Sequence, residues 1–186
     1  ADICFENFGD RVKNWITFNE PWCTAVLGNG LGVFAPGRVS ADEPYIVAHN
    51  QLLAHGMAVQ VFRSKYKDQN GVIGITNNCD WREPLTDSQE DRDAAQRALE
   101  FFFGWFTDPV VFGKYPDVMI ERLGDRLPVF TDEEKAMMTN STDFLGLNHY
   151  TTLFASAKPP AGIEETDNLA GNGGLSEDQD VFLSAN

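Results

Sequence analysis

The chain has 186 residues, enough to bury a hydrophobic core, and its 42% hydrophobic and 12% aromatic residues are typical of globular rather than disordered proteins. Its formal net charge of −14 would repel nucleic acids and anionic membrane surfaces, so neither is expected as a partner. No apolar run approaches the ~20 residues that a membrane-spanning helix needs.

The three cysteines, Cys4, Cys23 and Cys79, are widely spaced and lack a CxxC pair or interleaved histidines. This pattern predicts neither a disulfide framework nor a zinc site. Because free thiols persist in reducing compartments, we expect a cytoplasmic protein. No motif in the sequence implies a metal ion or an organic cofactor.

The first stretch that suggests chemistry covers residues 15–21, after residues 1–10, which are predicted to end a helix. Apolar residues dominate up to Phe18, as in a strand buried on both faces of a parallel α/β sheet. The strand then ends in Asn19 and Glu20, and sheets and barrels of this kind place their chemistry at such carboxyl ends. Taken alone, the motif is equally consistent with a strand that ends in an ordinary surface turn.

Residues 22–39 are rich in glycine and in aromatic and apolar residues, and they are predicted to form a long loop over the carboxyl edge of the sheet. A long helix follows, because apolar residues recur on one face at alternating intervals of three and four. These residues are Tyr45, Ala48, Leu52, His55, Val59, Phe62 and Tyr66. We expect His55, and likewise His49, to be hydrogen-bonded core histidines rather than catalytic groups.

A second apolar strand is predicted over residues 72–78, and it also ends in amide side chains. Residues 79–87 are predicted to form a loop, and residues 88–106 a second long helix. Pro109 is expected to break that helix, because proline lacks the backbone donor that a helix interior requires.

A third apolar strand, residues 144–147, ends in Asn148, His149 and Tyr150. Two short helices are predicted before it, over residues 117–123 and 131–139. The order of strands and helices favours an α/β fold with parallel strands. From residue 157 onward, proline, glycine, asparagine and acidic residues predict a loop or a disordered tail.

Residues 11–21, Arg-Val-Lys-Asn-Trp-Ile-Thr-Phe-Asn-Glu-Pro, resemble the fourth barrel strand of the family 1 glycoside hydrolases, the β-glucosidase family. The resemblance extends to about residue 155 and rests on these further motifs: Ala35-Pro36-Gly37, His49-Asn50, Ala54-His55, Trp105-Phe106-Thr107-Asp108-Pro109, Gly113-Lys114-Tyr115-Pro116 and Asp143-Phe144-Leu145-Gly146-Leu147-Asn148-His149-Tyr150. It implies a partial (β/α)8 TIM barrel, roughly strands 4 to 6 with their helices.

The first residue is Ala1, within an apparent helix, and the first methionine is Met57. We therefore expect a central fragment of a longer protein. In this interpretation residues 1–186 form one incomplete catalytic barrel domain, in which residues 156–186 are a loop or a disordered tail.

The resemblance implies retaining hydrolysis of β-glycosidic bonds, in which Glu20 matches the general acid/base of the family. Its pKa is then expected to be raised by burial and by the charge of a partner carboxylate. Asn19 matches the asparagine that binds the sugar 2-hydroxyl, and Tyr150 matches the tyrosine that orients the nucleophile. Asn148 matches the asparagine that supports the sites of both carboxylates.

Three further residues, Asn78, Trp22 and Cys23, lie by resemblance on the leaving-group side, where family members differ. For Trp22, packing beneath its own loop is an equally good interpretation. The implied partner is a small-molecule β-glucoside or oligosaccharide, such as cellobiose or an aryl or alkyl β-glucoside. No oligomeric state is implied.

The sequence departs from the family pattern by lacking the Thr-Glu-Asn-Gly motif that carries the nucleophile. The chain as given is therefore not expected to complete a retaining mechanism. A truncated, non-catalytic carbohydrate-binding remnant and a phospho-β-glucosidase remain as alternatives. Glutamate at position 20 favours an O-glycosidase, because the thioglucosidases of this family carry glutamine there.

Overall fold

The computed structural model describes residues 1–159 and 176–184. The strands of this part are β1 (Asn14–Asn19), β2 (Val72–Asn78), β3 (Trp81–Pro84), β4 (Leu145–Asn148), β5 (Thr152–Ser156) and β6 (Phe182–Ser184). Its α-helices are α1 (Asp2–Phe8), α2 (Glu43–Lys65), α3 (Gln89–Leu99), α4 (Trp105–Phe112), α5 (Asp117–Leu123), α6 (Asp132–Met138) and α7 (Ser176–Gln179). Its π-helical segments are Cys23–Gly28 and Glu100–Gly104, and its 3₁₀ turns are Lys67–Gln69 and Gly124–Arg126.

Three parallel strands form the sheet that carries the predicted site. β2 lies between β1 and β4, and it pairs in parallel with each of them. The long helix α2 connects β1 to β2, and the helices α3 to α6 lie between β2 and β4 in the chain. The predicted α/β class with parallel strands is confirmed.

Burial in this sheet differs from the prediction for β1. Ile73 and Ile75 of the middle strand are fully buried, whereas Ile16 of β1 is 54% exposed. Among the described residues β1 has a neighbouring strand on one side only, and part of its apolar surface is left uncovered by them. The expectation of a strand buried on both faces therefore applies to β2 and is wrong for β1.

The main core lies between the sheet and the helices. Leu52 of α2, Ile75 of β2 and Trp105 of α4 are buried in it together with Phe101 and Met119. A smaller core packs Val59 and Phe62 of α2 against Phe5 of α1 and Ile73 of β2. The predicted apolar face of α2 is confirmed, since all its predicted members are buried except the half-buried Tyr66.

Both predicted core histidines lie on α2 and are hydrogen-bonded. His55 is completely buried between Thr17 and Ser141. His49 is half-buried, and its Nδ1 lies 2.9 Å from the hydroxyl of Tyr115. The prediction that these histidines are structural core residues agrees with this placement.

The prediction that Pro109 breaks the second long helix is wrong. The helix begins at Ser88, whose hydroxyl accepts the backbone N–H of Asp91, and it continues through a π-helical segment into α4, with Pro109 inside. Pro109 has no N–H to donate to the carbonyl of Trp105, four residues earlier, and the helix continues despite this missing bond. The helix ends only at Gly113, which has a φ of 73°.

Two segments that were predicted as loops contain regular structure. The segment over residues 22–39 begins with the π-helical turn Cys23–Gly28, whose Ala25 and Val26 are buried in the main core. The segment over residues 79–87 contains β3, which pairs in parallel with β5. Pairing of two short strands that lie far apart in the chain leaves little local signal in the sequence.

The predicted tail is also partly structured. Residues 160–175 lie outside the described residues, but β6 pairs antiparallel with β5 and buries Leu183 against the alanines of α3. Asp178 accepts a hydrogen bond from the hydroxyl of Tyr45 at 2.6 Å and forms an ion pair with Arg126. These contacts attach residues 176–184 to the helical layer, so the tail prediction is wrong for them.

The described residues, 1–159 and 176–184, include no helix that is both long and apolar enough to cross a bilayer.

Candidate active site

The carboxyl ends of the three parallel strands bring the predicted site residues together. Asn78 of β2 lies opposite Asn148 of β4 in the parallel register, and Asn19 of β1 lies opposite Thr76. Glu20 follows directly after β1, and its backbone N–H donates to the carbonyl of Thr76 at 2.8 Å. The strand ends therefore place one carboxylate and three amide side chains at one edge of the sheet.

Glu20 is the acceptor at the centre of this cluster. Its Oε1 accepts hydrogen bonds from Nδ2 of Asn148 at 2.9 Å and from the hydroxyl of Tyr150 at 2.8 Å. Its Oε2 lies 3.5 Å from the thiol of Cys23. Asn148 Nδ2 also donates to Oδ1 of Asn19 at 3.1 Å, so a single amide joins both polar residues at the end of β1.

The backbone of Glu20 is in an unusual conformation. Its φ of 51° lies in the left-handed region, which costs a non-glycine residue about 1–3 kcal/mol. The pairing of β1 with β2 shifts by one residue between Ile16 and Asn19, immediately before this position. The shifted register and the left-handed turn together direct the carboxylate toward Asn148 and Tyr150.

The predicted rise in the pKa of Glu20 is wrong for this chain. Burial acts to raise the pKa, but hydrogen bonds from Asn148, Tyr150, Cys23 and Asn78 outweigh it and hold the pKa below its ordinary value. The side chain is only half-buried, so its desolvation is incomplete. These donors stabilise the charged form, and the partner carboxylate assumed in the prediction is not part of this chain.

The residues expected on the leaving-group side lie next to the carboxylate. Asn78 is nearly buried, and its Nδ2 donates to the sulfur of Cys23 at 3.5 Å. Burial raises the pKa of the Cys23 thiol, which keeps the sulfur protonated at neutral pH. Trp22 packs edge-to-face on Phe102 with ring centroids 4.9 Å apart, which agrees with the packing interpretation, and a substrate contact stays a prediction.

Asp80 is a site residue that the sequence analysis missed. One of its carboxylate oxygens accepts the backbone N–H groups of Tyr150 and Thr151, both at 3.2 Å. This contact holds the start of the segment that follows β4 and so places the hydroxyl of Tyr150. A signal was present, because Asp80 lies only two residues after the end of β2.

Cys4, Cys23 and Cys79 are free thiols. Within the described ranges, no cluster of three or more histidine, cysteine, aspartate or glutamate residues is arranged to hold a metal ion.

Sequence comparison matches residues 1–183 to the family described as Glycosyl hydrolase family 1. Beta-glucosidase 42 of Arabidopsis thaliana is 56% identical over 160 residues, which are 84% of this chain and 33% of that protein. Beta-glucosidase 1B of Phanerodontia chrysosporium is 51% identical over 168 residues, with 84% of this chain and 31% of that protein covered.

Among solved structures, a rice β-glucosidase superimposes with a TM-score of 0.88 and 41% identity, over 98% of this chain and 40% of the other. The chain thus spans about a third of the length of the curated relatives that it matches.

Proposed function

The chain belongs to glycosyl hydrolase family 1, and we propose that it is the part of a longer β-glucosidase that supplies the general acid/base, Glu20. One observation carries this proposal. Asn19, Glu20, Asn148 and Tyr150 converge at the carboxyl ends of parallel strands, where their side chains bond to one another. A carboxyl group among amide and hydroxyl groups is what glycoside hydrolysis requires on this side of the bond.

In the proposed mechanism, Glu20 first protonates the oxygen of the leaving group. A second carboxylate attacks the sugar from the other face and forms a covalent intermediate. Glu20, now ionised, then deprotonates the water that releases the sugar. We assign the nucleophile to residues outside these 186, because no Thr-Glu-Asn-Gly motif occurs among them. Asn19 would bind the sugar 2-hydroxyl. Asn148 would fix the positions of the Asn19 and Glu20 side chains through its hydrogen bonds to both.

We further propose that β1, β2 and β4 are strands 4 to 6 of a (β/α)8 barrel. Both outer strands support this assignment, since Ile16 of β1 is 54% exposed and Leu147 of β4 is 57% exposed. Neighbouring barrel strands would cover these edges, as a closed barrel leaves no strand unpaired.

Tyr150 links the acid/base to the absent nucleophile in this proposal. Its hydroxyl has one proton to donate, and in this chain it donates to Glu20. Once a second carboxylate is close enough to take this hydrogen bond, Glu20 loses one stabilising donor and gains a negatively charged neighbour. Both changes raise the pKa of Glu20 toward the value that a general acid needs near neutral pH.

The substitution Tyr150→Phe tests which carboxylate receives this hydrogen bond in the longer chain. If Glu20 receives it in the free enzyme, the substitution raises the pKa of Glu20. The acid then stays protonated to higher pH, and the alkaline limb of the kcat/KM profile moves up. If only the nucleophile receives it, the acidic limb moves up instead. Tyr45→Phe is the control and should move neither limb, because Tyr45 donates to the remote Asp178.

The function itself is tested with the longer chain that contains these residues. We expect hydrolysis of an aryl β-glucoside, and proton NMR of the first sugar released should show the β-anomer, as retention requires. Hydrolysis of the 6-phospho-β-glucoside alone would indicate a phospho-β-glucosidase. Glucoside binding without turnover would indicate a carbohydrate-binding remnant, and either result would refute the proposal.

A further inference from the structure

A buried hydrogen-bonded histidine connects α2 to β1 near the proposed acid/base. The ring of His55 is completely buried. Its Nδ1 lies 2.7 Å from Oγ1 of Thr17 in β1, and its Nε2 lies 3.1 Å from Oγ of Ser141, just before β4. The proposed chemistry uses neither the histidine nor its partners.

The neighbouring acceptors favour one of the two neutral forms of the His55 ring. Burial lowers the pKa of His55 to about 4, so the ring is neutral at pH 7 and has one donor and one acceptor nitrogen. The hydroxyl of Thr17 lies 3.2 Å from the carbonyl oxygen of Gly74, and that of Ser141 lies 3.4 Å from the carbonyl oxygen of Val110. A proton on Nδ1 preserves the shorter of these two contacts, because Thr17 then accepts from the ring and donates to Gly74. This tautomer therefore links β2, β1 and α2 in one chain of hydrogen bonds.

Thr17 lies at the point where β1 and β2 change register. From Ile16 to Asn19 the first strand advances three residues, whereas its partner advances two, from Gly74 to Thr76. The extra residue of β1 forms a bulge, and bulges next to active sites commonly redirect a side chain. Glu20 follows this bulge directly, in its left-handed conformation.

We propose that His55 is a positioning residue that fixes the bulge of β1 through Thr17 and thereby places Glu20 for proton transfer. This inference rests on the proposed function of Glu20. The bond from His55 to Ser141 has a different role in this proposal, because it connects α2 to the segment before β4 and leaves the bulge unaffected.

Two pairs of substitutions separate these two bonds. In His55→Asn the side-chain amide reaches the position of Nδ1 and keeps the bond to Thr17, whereas in His55→Gln it reaches the position of Nε2 and keeps the bond to Ser141. Thr17→Val and Ser141→Ala remove the same bonds from the other side, and each also removes a contact of its hydroxyl with a backbone carbonyl, that of Gly74 or that of Val110. The two His55 variants each lose one hydrogen bond and the two hydroxyl variants each lose two, so losses of stability should be similar between His55→Asn and His55→Gln, and between Thr17→Val and Ser141→Ala.

In the longer chain, we expect His55→Gln and Thr17→Val to lower kcat by about 10- to 100-fold with little change in KM, since small misplacements of catalytic groups have effects of this size. His55→Asn and Ser141→Ala should keep kcat within about 3-fold of the unchanged protein, as should Thr17→Ser, which retains the hydroxyl. The proposal would be overturned if the variants that lose the bond to Thr17 and the variants that lose the bond to Ser141 had equal losses of kcat. It would also be overturned if the losses of kcat followed the melting temperature alone.

A crystallographic readout separates failure of this inference from failure of the proposed function. Absence of glucosidase activity in the unchanged longer chain would refute the proposed function. The positioning role of His55 could still be tested, because crystal structures show the conformation of Glu20 without any activity. In crystal structures, His55→Gln should release Glu20 from its positive φ and from the 2.8 Å bond between its N–H and Thr76, whereas His55→Asn should retain both. An unchanged Glu20 in His55→Gln would refute the positioning role.

Discussion

Glu20→Gln is expected to lower kcat for β-glucoside hydrolysis by about 10³-fold in the longer chain, the middle of the range for loss of a general acid/base. Glutamine has nearly the same shape and can still accept a hydrogen bond from Asn148 through its amide oxygen. It can neither deliver a proton to the leaving oxygen nor remove one from water. The loss is therefore chemical, and melting temperature and sugar affinity should change little.

The dependence on leaving group distinguishes lost proton transfer from general damage. A nitrophenyl glucoside needs little protonation to depart, so the first step should be affected much less than with cellobiose. Azide attacks the covalent intermediate without base assistance, and it should restore turnover of the nitrophenyl substrate. Steady-state rates with both substrates, with and without azide, test these points.

Glu6→Gln is the control for this experiment, because Glu6 is an exposed residue of α1 and does not belong to the cluster around Glu20. It should leave all rates unchanged. An active Glu20→Gln enzyme that needs no azide would refute the assignment of Glu20 as acid/base.

The second large effect is expected for Gly74→Ala in the middle strand of the sheet. A Cβ atom at Gly74 would lie 2.2 Å from the carbonyl oxygen of Phe144, far inside van der Waals contact. This oxygen belongs to the backbone just before β4, so the clash can be relieved only if β4 moves away from β2. We expect a loss of about 3 kcal/mol in the free energy of unfolding, at the upper end for overpacking, measured by urea denaturation of the longer chain.

Gly9→Ala is the matched control, since it adds the same methyl group where the obstacle can move. There the added Cβ would meet the side-chain oxygen of Gln69 at 1.8 Å, but this is the end of a flexible side chain. Gly9 has a φ of −67°, which any residue adopts, so the cost should stay below about 1 kcal/mol. Equal losses for the two variants would show that β4 is not held close to β2 at Gly74.

The displacement of β4 should also reach the site. Asn148 is the last residue of β4, and its amide lies 2.9 Å from Glu20. Residual activity of Gly74→Ala should therefore fall even at temperatures where the protein remains folded.

The elements that the sequence predicts well are those with strong local patterns. α2 carries a buried face, with residues spaced at three and four, over its whole length, and β2 is a run of mainly apolar and β-branched residues between Gly71 and two asparagines. β3 and β5 were missed because each is short and is stabilised by the other across some 70 residues of chain. Pro109 misled the helix prediction because tertiary packing keeps α4 helical around it: Trp105, Phe106 and Val110 of this helix are buried in the main core.

The candidate site was predictable to the extent that it depends on strand ends. Glu20 and Asn148 each follow an apolar run, and parallel pairing brings such ends together. The sign of the pKa change in Glu20 was not predictable, because it depends on how many donors reach the carboxylate in three dimensions. The contact of His55 with Thr17 joins residues 38 positions apart and also left no pattern in the chain.

The left-handed backbone of Glu20 has an evolutionary consequence. Glycine would adopt this φ without strain, and asparagine more readily than glutamate, so selection for stability alone would replace the residue at position 20. Glutamate persists in such a conformation only while its carboxylate is useful. A descendant that loses the catalytic requirement should therefore drift at this position before it drifts at the buried residues of β2, and its fold should become more stable as its chemistry disappears.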